Sequence, residues 1–125
     1  QERMFMTRES GQKAVTTRQK GVIYEAKAAE FLESHGCVIR ERNFRCPLGE
    51  IDLIIEEGSE IVFVEVKYRK NLEKGWPEEA VGPKKQARIR NAAAWYLRGR
   101  PVNTLCRFDV ISILNTQIKW IKNAF

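Results

Sequence analysis

Two stretches of the chain have the residue pattern of helices. Residues 18–34 are good helix formers, and Gly36 lies just beyond them, where a left-handed cap is common. Residues 83–97 begin with a proline, which suits a first helical turn, and Gly99 and Pro101 follow their end. The pattern therefore predicts one helix near the start and one in the second half of the chain.

Five other segments are rich in β-branched residues and are predicted to be strands. They are residues 38–44, 50–55, 60–68, 108–114 and 118–121. The first three should form an antiparallel meander, and the last two a hairpin around Asn115 and Thr116. We therefore predict a single α/β domain over residues 18–125, with a central mixed five-stranded sheet flanked by helices. Residues 1–17 are polar without a sustained period, and we expect a mobile N-terminal tail there.

Composition narrows the class of protein. An apolar content of 43% in 125 residues is enough for one core. The net charge of +6 favours polyanions such as nucleic acid, although charge alone is weak evidence. The three cysteines form no C-x-x-C pair and His35 is the one histidine, so we expect no zinc site. Free thiols, and the lack of an apolar run of roughly 18 residues, lead us to expect a cytoplasmic protein with no membrane partner.

Two charges stand inside the most apolar predicted strand. Side chains alternate along a strand, so Glu65 and Lys67 should share one face, while Val64 and Val66 occupy the other. A strand covered on both faces leaves such charges without solvent. The alternative is an ordinary exposed ion pair, which has little significance by itself.

A second acid is predicted to face the first. If the turn between these strands has two residues, Glu57 pairs with Glu60, and counting back places Asp52 opposite Glu65. An odd loop or a bulge would break this pairing. Glu50 lies near the strand end, and we expect it at the rim of the site.

The first helix adds a third carboxylate. Val22, Ala26, Ala29 and Leu32 form an apolar stripe at ~100° per residue, and Glu25 falls inside it. Its carboxylate should point toward the sheet, unless the face is misjudged by one position. Converging carboxylates repel unless a cation neutralises them, so the pattern predicts a divalent-metal site. Ligands that are all oxygen suit Mg²⁺ or Mn²⁺.

Residues 49–54, Gly-Glu-Ile-Asp-Leu-Ile, and 62–69, Val-Phe-Val-Glu-Val-Lys-Tyr-Arg, resemble the signature of the YraN family of bacterial proteins. That family is grouped with the PD-(D/E)XK nucleases and is distantly similar to archaeal Holliday-junction resolvases. The resemblance runs from about Gly21 to the C-terminus and includes residues 42–45, 107–110 and 123–125. The Pro-Asp pair of the superfamily name is absent, because Ile51 precedes Asp52.

The resemblance implies a restriction-endonuclease-like core and a role for each acid. Asp52 and Glu65 would be metal ligands together with the backbone carbonyl of Val66, and Lys67 would be the lysine of the signature. Glu25 would hold the metal through water or help to bind a second ion. The implied activity is Mg²⁺- or Mn²⁺-dependent cleavage of phosphodiester bonds in nucleic acid, with DNA favoured over RNA and branched or single-stranded DNA as the expected substrates.

Basic residues near these strands are candidates for binding the phosphate backbone. They are Lys84, Lys85, Gln86 and Arg88 in the second predicted helix, with Arg69 and Lys70 just after the predicted strand that carries Glu65 and Lys67. A solvated helix face is the alternative for the first four. Two other functions also remain open, namely a non-catalytic nucleic-acid-binding module and a protein-interaction domain. A homodimer is plausible by analogy with resolvases.

Overall fold

The computed structural model describes residues 15–125, so most of the predicted N-terminal tail lies outside the described residues. The elements are α1 (Thr17–Ser34), β1 (Val38–Cys46), β2 (Gly49–Glu57), β3 (Glu60–Arg69), a 3₁₀ helix (Pro77–Ala80), α2 (Pro83–Leu97), β4 (Cys106–Leu114) and β5 (Gln117–Ile121). Every predicted helix and strand is present, within one or two residues at each end. The short 3₁₀ helix was not predicted. Neither α-helix in the described part of the chain is long and apolar enough to cross a membrane.

The ends of α1 follow from local chemistry. The Thr16 side chain accepts a hydrogen bond from the Gln19 amide, and the Gln19 side chain accepts one from the Thr16 amide. At the other end Gly36 takes a φ of 87°, which a residue with a Cβ rarely adopts. These caps fix where the helix begins and ends.

The five strands form one mixed sheet in the order β1-β2-β3-β4-β5. The pairs β1–β2, β2–β3 and β4–β5 are antiparallel, whereas β3–β4 is parallel. A parallel pair needs a crossover connection, which the segment containing α2 provides. The predicted α/β class, the meander and the final hairpin are thereby confirmed.

The sheet has an apolar layer on each face. On one face, Ala28 and Leu32 of α1 belong to a buried cluster with Leu53 and Val64. On the other face, α2 packs its own apolar side chains against residues such as Phe63. Each helix therefore covers one side of the sheet.

The predicted apolar stripe of α1 was wrong at two positions. Val22 is 60% exposed, and Ala26 is also exposed. The buried residues are Ala28, Ala29 and Leu32. The true buried face is rotated about the helix axis, and because Glu25 lies at its edge, the revised stripe still carries this carboxylate toward the sheet.

A buried ionic network lies where β4 begins and β5 ends. The Arg107 guanidinium donates to both carboxylate oxygens of Asp109, at 3.0 to 3.2 Å, and also to Glu57 and Glu60. Asp109, with no solvent exposure, additionally accepts one hydrogen bond from the Trp120 indole and one from the Asn123 amide. All these charged groups are paired, so the network ties the β2–β3 turn to the last strand.

Replacing Asp109 with alanine would leave a buried guanidinium with part of its partners missing. We expect Asp109→Ala to lower the free energy of unfolding by about 3 kcal/mol or more. Urea denaturation measures this change. The matched control is Arg40→Ala, which removes the exposed pair between Arg40 and Glu56 and should have a much smaller effect. Equal effects would contradict a structural role for the network.

Candidate active site

The candidate site lies where the ladder between β2 and β3 ends. The paired residues run from Glu57–Glu60 to Leu53–Val64, so the predicted register is correct. Beyond this last pair, a side chain replaces a backbone carbonyl as the hydrogen-bond acceptor. The Oδ2 atom of Asp52 accepts a hydrogen bond from the Val66 amide at 2.8 Å. Asp52 is thereby held at a fork between two strands.

Strand β2 also rotates at this point. Residues two apart on a regular strand share a face, yet Ile51 packs in the cluster on the α2 side and Leu53 in the cluster on the α1 side. On β1, Asn43 lies between the residues paired with these two and has a φ of 53°. Asp52 therefore sits between the two faces of the sheet, where side chains from both sides can reach it.

Glu65 reaches Asp52 from the α2 side. It is only 2% exposed, and its Oε2 lies 3.6 Å from Lys67 Nζ and 3.3 Å from Lys85 Nζ. Burial and the Asp52 charge raise the pKa of Glu65 to about 7, although both lysines act in the opposite direction. The two ammonium groups therefore offset only part of the cost of a buried carboxylate.

Glu25 reaches Asp52 from the α1 side. Burial first, and then the charge of Asp52, raises the pKa of Glu25 to about 7, while a hydrogen bond from the Asn43 side chain lowers it. Sequence reasoning missed Asn43. Its one signal was its residue type, because asparagine tolerates the left-handed conformation that this position requires.

The predicted nucleic-acid contacts of α2 divide into two groups. Lys84 and Arg88 are exposed on the helix. Lys85 instead directs its ammonium to Glu65, and the Gln86 amide donates to the Val81 carbonyl at 3.0 Å. The last two side chains are therefore engaged within the protein.

An open groove of about 590 Å³ adjoins the site. Its lining includes Glu25, Tyr24 and Tyr68, with Glu73 further out. Five basic residues also line it: Lys20, Lys67, Arg69, Lys70 and Lys74. Arg69 and Lys70 were predicted contacts, but Lys20 was not. Glu50 lies outside this lining, is exposed, and pairs with Arg45 at 3.8 Å.

The donor set can be compared with what a divalent ion requires. Within residues 15–125, no group of three or more His, Cys, Asp or Glu side chains is arranged to hold a metal ion by itself. The carboxylates meet in pairs at Asp52, one pair with Glu25 and one with Glu65. Mg²⁺ commonly takes one or two carboxylates and fills its other positions with water and substrate phosphate. The Asp52–Glu65 pair fits an ion of that kind.

Comparison with known proteins places this arrangement in a family. The model of the uncharacterised protein family UPF0102 matches residues 24–113. This range includes the candidate site residues Glu25, Asp52, Glu65 and Lys67. The chain belongs to UPF0102. The match confirms the resemblance to YraN-like proteins, and the fold is consistent with the PD-(D/E)XK superfamily.

Curated relatives of UPF0102 are similar over almost their whole length. A UPF0102 protein of Lachnoclostridium phytofermentans is 51% identical over 108 residues, which cover 85% of this chain and 92% of that protein. One of Moorella thermoacetica is 45% identical over 118 residues, covering 89% and 98%. One of Shewanella loihica is 42% identical over 106 residues, covering 85% and 93%. These names describe a family and no activity.

If the charge of Asp52 raises the pKa values of both Glu25 and Glu65, replacing Asp52 with an uncharged residue will change both pKa values. We expect Asp52→Asn to lower the pKa of Glu25 and of Glu65 toward the ordinary glutamate range, because one unfavourable charge is removed from each. Carboxyl-detected NMR titration without divalent ions measures both values. Glu50→Gln is the control, since Glu50 raises the pKa of Glu25 only weakly. Unchanged values in Asp52→Asn would contradict the coupling.

The raised pKa values also predict how stability depends on pH. Native Glu25 and Glu65 keep their protons at a pH where unfolded glutamate has lost them, so the native state binds more protons. The free energy of unfolding of the metal-free protein should therefore fall as pH rises from about 5 to about 8. Glu57 acts outside this window, because the Arg107 hydrogen bond lowers its pKa. Urea denaturation in EDTA at several pH values measures the slope, and a rising stability would contradict this reasoning.

Proposed function

We propose that this protein is a Mg²⁺- or Mn²⁺-dependent phosphodiesterase that cleaves nucleic acid, with DNA favoured over RNA. The observation that carries the proposal is Asp52, fixed by the Val66 amide at the end of the β2–β3 ladder, with buried Glu65 beside it and Lys67 on the same strand. A domain without metal chemistry gains nothing from keeping carboxylates against its core without enough positive charge.

Each residue has a part in this proposal. A divalent ion bound here would polarise a water and neutralise charge on the phosphate. Asp52 and Glu65 would hold that ion, with the Val66 carbonyl as a further predicted ligand, and the Val66 amide keeps Asp52 in place. Lys67 Nζ would donate to a phosphate oxygen or orient the attacking water. Glu25 would hold the metal through water or help to bind a second ion, and the Asn43 side chain hydrogen-bonds to Glu25.

The surroundings suit this activity. The basic side chains that line the groove attract a phosphate backbone and bring it beside Lys67. The free cysteines fit a reducing compartment, and we place the activity in the cytoplasm. A homodimer, expected by analogy with resolvases, stays a prediction.

One observation favours a second function, that of a nucleic-acid-binding module without catalysis. The ammonium groups of Lys67 and Lys85 lie within 3.6 Å of Glu65. If a proton on Glu65, whose pKa is raised to about 7, supplies the remaining positive charge, the site needs no metal ion. Nucleic acid would then bind through the same groove without being cut.

Metal binding and cleavage separate the two functions. We expect calorimetry to detect Mn²⁺ binding to the wild type and none to Asp52→Asn, because that variant loses a charged oxygen ligand. Lys67→Ala should keep Mn²⁺ binding but cleave a labelled DNA oligonucleotide at least about 100-fold more slowly, because transition-state stabilisation is lost.

Lys27→Ala is the control for Lys67→Ala, because it removes an exposed lysine of α1 that does not line the groove. It should cleave like the wild type. Absence of both Mn²⁺ binding and cleavage in the wild type would reject the nuclease function. If the wild type then binds nucleic acid without cleaving it, the second function, that of a binding module without catalysis, is established.

A further inference from the structure

We infer that the groove beside the site binds an unpaired polynucleotide strand and leads its phosphates to Asp52 and Glu65. The inference deepens the proposed function and rests on it for the fate of the strand, although binding itself requires no cleavage. One wall of the groove is the first part of α1, and the other is the end of β3 with the segment that follows it.

The charges of the groove match one phosphate backbone. Lys20 stands on the α1 wall, and Arg69, Lys70 and Lys74 stand on the opposite wall. Lys67 also lines the groove and contacts the buried Glu65 at 3.6 Å, so it connects the groove with Asp52 and Glu65, which do not line it themselves. Several cations in one groove can hold successive phosphates of a strand.

Gly21 is an independent sign of a ligand in this groove. It lies inside α1, where glycine destabilises a helix relative to alanine. A Cβ built at Gly21 would have no atom of residues 15–125 within 4 Å, so packing within the described part of the chain does not require a glycine there. Gly21 does line the groove, and a glycine lets the backbone of a ligand approach a helix closely.

The groove also has an aromatic surface. Tyr24 of α1 and Tyr68 of β3 stack with ring centroids 3.7 Å apart and planes 11° apart, and both line the groove. Because the two rings cover one face of each other, a base can stack only on an outer face of the pair. An aromatic surface beside basic residues is a combination that proteins use for unpaired strands, because every base has a face that can stack.

The aromatic surface favours one strand over two. In a base-paired duplex the faces of the bases are covered by their neighbours, so a duplex could contact the groove only through its phosphates. An unpaired strand can place its phosphates on the basic residues and a base on the tyrosine pair.

The test compares single-stranded and duplex DNA of the same length, labelled with fluorescein, by fluorescence anisotropy in EDTA so that no cleavage occurs. We expect the single strand to bind at least about tenfold more tightly. Lys20→Ala and Lys70→Ala should each weaken this binding and reduce its salt dependence by about 0.7 in the slope of log K against log salt. Lys27→Ala, which changes an exposed lysine of the same helix outside the groove, should change neither quantity.

The Gly21→Ala variant gives a result that general destabilisation cannot produce. It should raise the melting temperature, because alanine is the better helix former, and yet weaken single-strand binding about fivefold or more. Gly82→Ala is the control, since it adds a methyl group in open space outside the groove and should leave binding unchanged.

Two results would overturn the inference. One is duplex binding as tight as single-strand binding, or no binding of either. The other is equal binding by Gly21→Ala, Lys20→Ala and the wild type. The proposed function fails separately, if the strand binds in EDTA with the expected pattern but Mn²⁺ neither binds nor supports cleavage. A single-stranded RNA of the same length shows whether the sugar is recognised.

Discussion

One hydrogen bond organises the candidate site, the one that Asp52 accepts from the Val66 amide. That amide would otherwise need a backbone carbonyl of the neighbouring strand, because a strand amide rarely remains unpaired in a protein interior. Because the Asp52 carboxylate takes the place of that carbonyl, the backbone pairing between β2 and β3 ends here. The same replacement brings one acid within reach of both faces of the sheet. Glu25 and Glu65, which belong to opposite layers, each reach Asp52 because a side chain takes the place of the backbone at this point.

The protein handles buried charge in two opposite ways. At Arg107 the charges are paired, and the hydrogen bond from this guanidinium lowers the pKa of Glu57. At Asp52 the carboxylates outnumber the cations in contact with them, and burial holds the pKa of Glu65 well above the ordinary value. The first network is complete without a ligand and serves the fold. The second lacks positive charge, which is the condition expected of a site that binds a cation or a proton during its function.

Hydrophobic patterning predicted the elements and the central pair of the site. The register as far as Leu53 and Val64 followed from the turn at Gly58 and Ser59, so counting placed Asp52 close to Glu65, although the backbone pairing ends before these two residues. The contribution of Lys85 could not, because it depends on how the crossover places α2 against β3. Asn43 and the rotation of β2 were also missed, since a local irregularity leaves no period in the sequence. The α1 face was misjudged because small alanines occur on both its sides and indicate no direction.

The parallel pairing of β3 with β4 has a consequence for how the chain folds. Asp52 and Glu65 belong to one antiparallel hairpin, whose contacts are local along the chain and close at small entropic cost. Lys85 belongs to the crossover segment, which takes its place only when the distant strand β4 joins the sheet. Lys67 is part of the hairpin itself, so of the two ammonium groups that contact Glu65 only one comes from the same local unit. The charge balance of the acids is therefore completed by the most distant pairing of the sheet, and a change that loosens the crossover would alter the electrostatics of Glu65 without touching the hairpin that carries it.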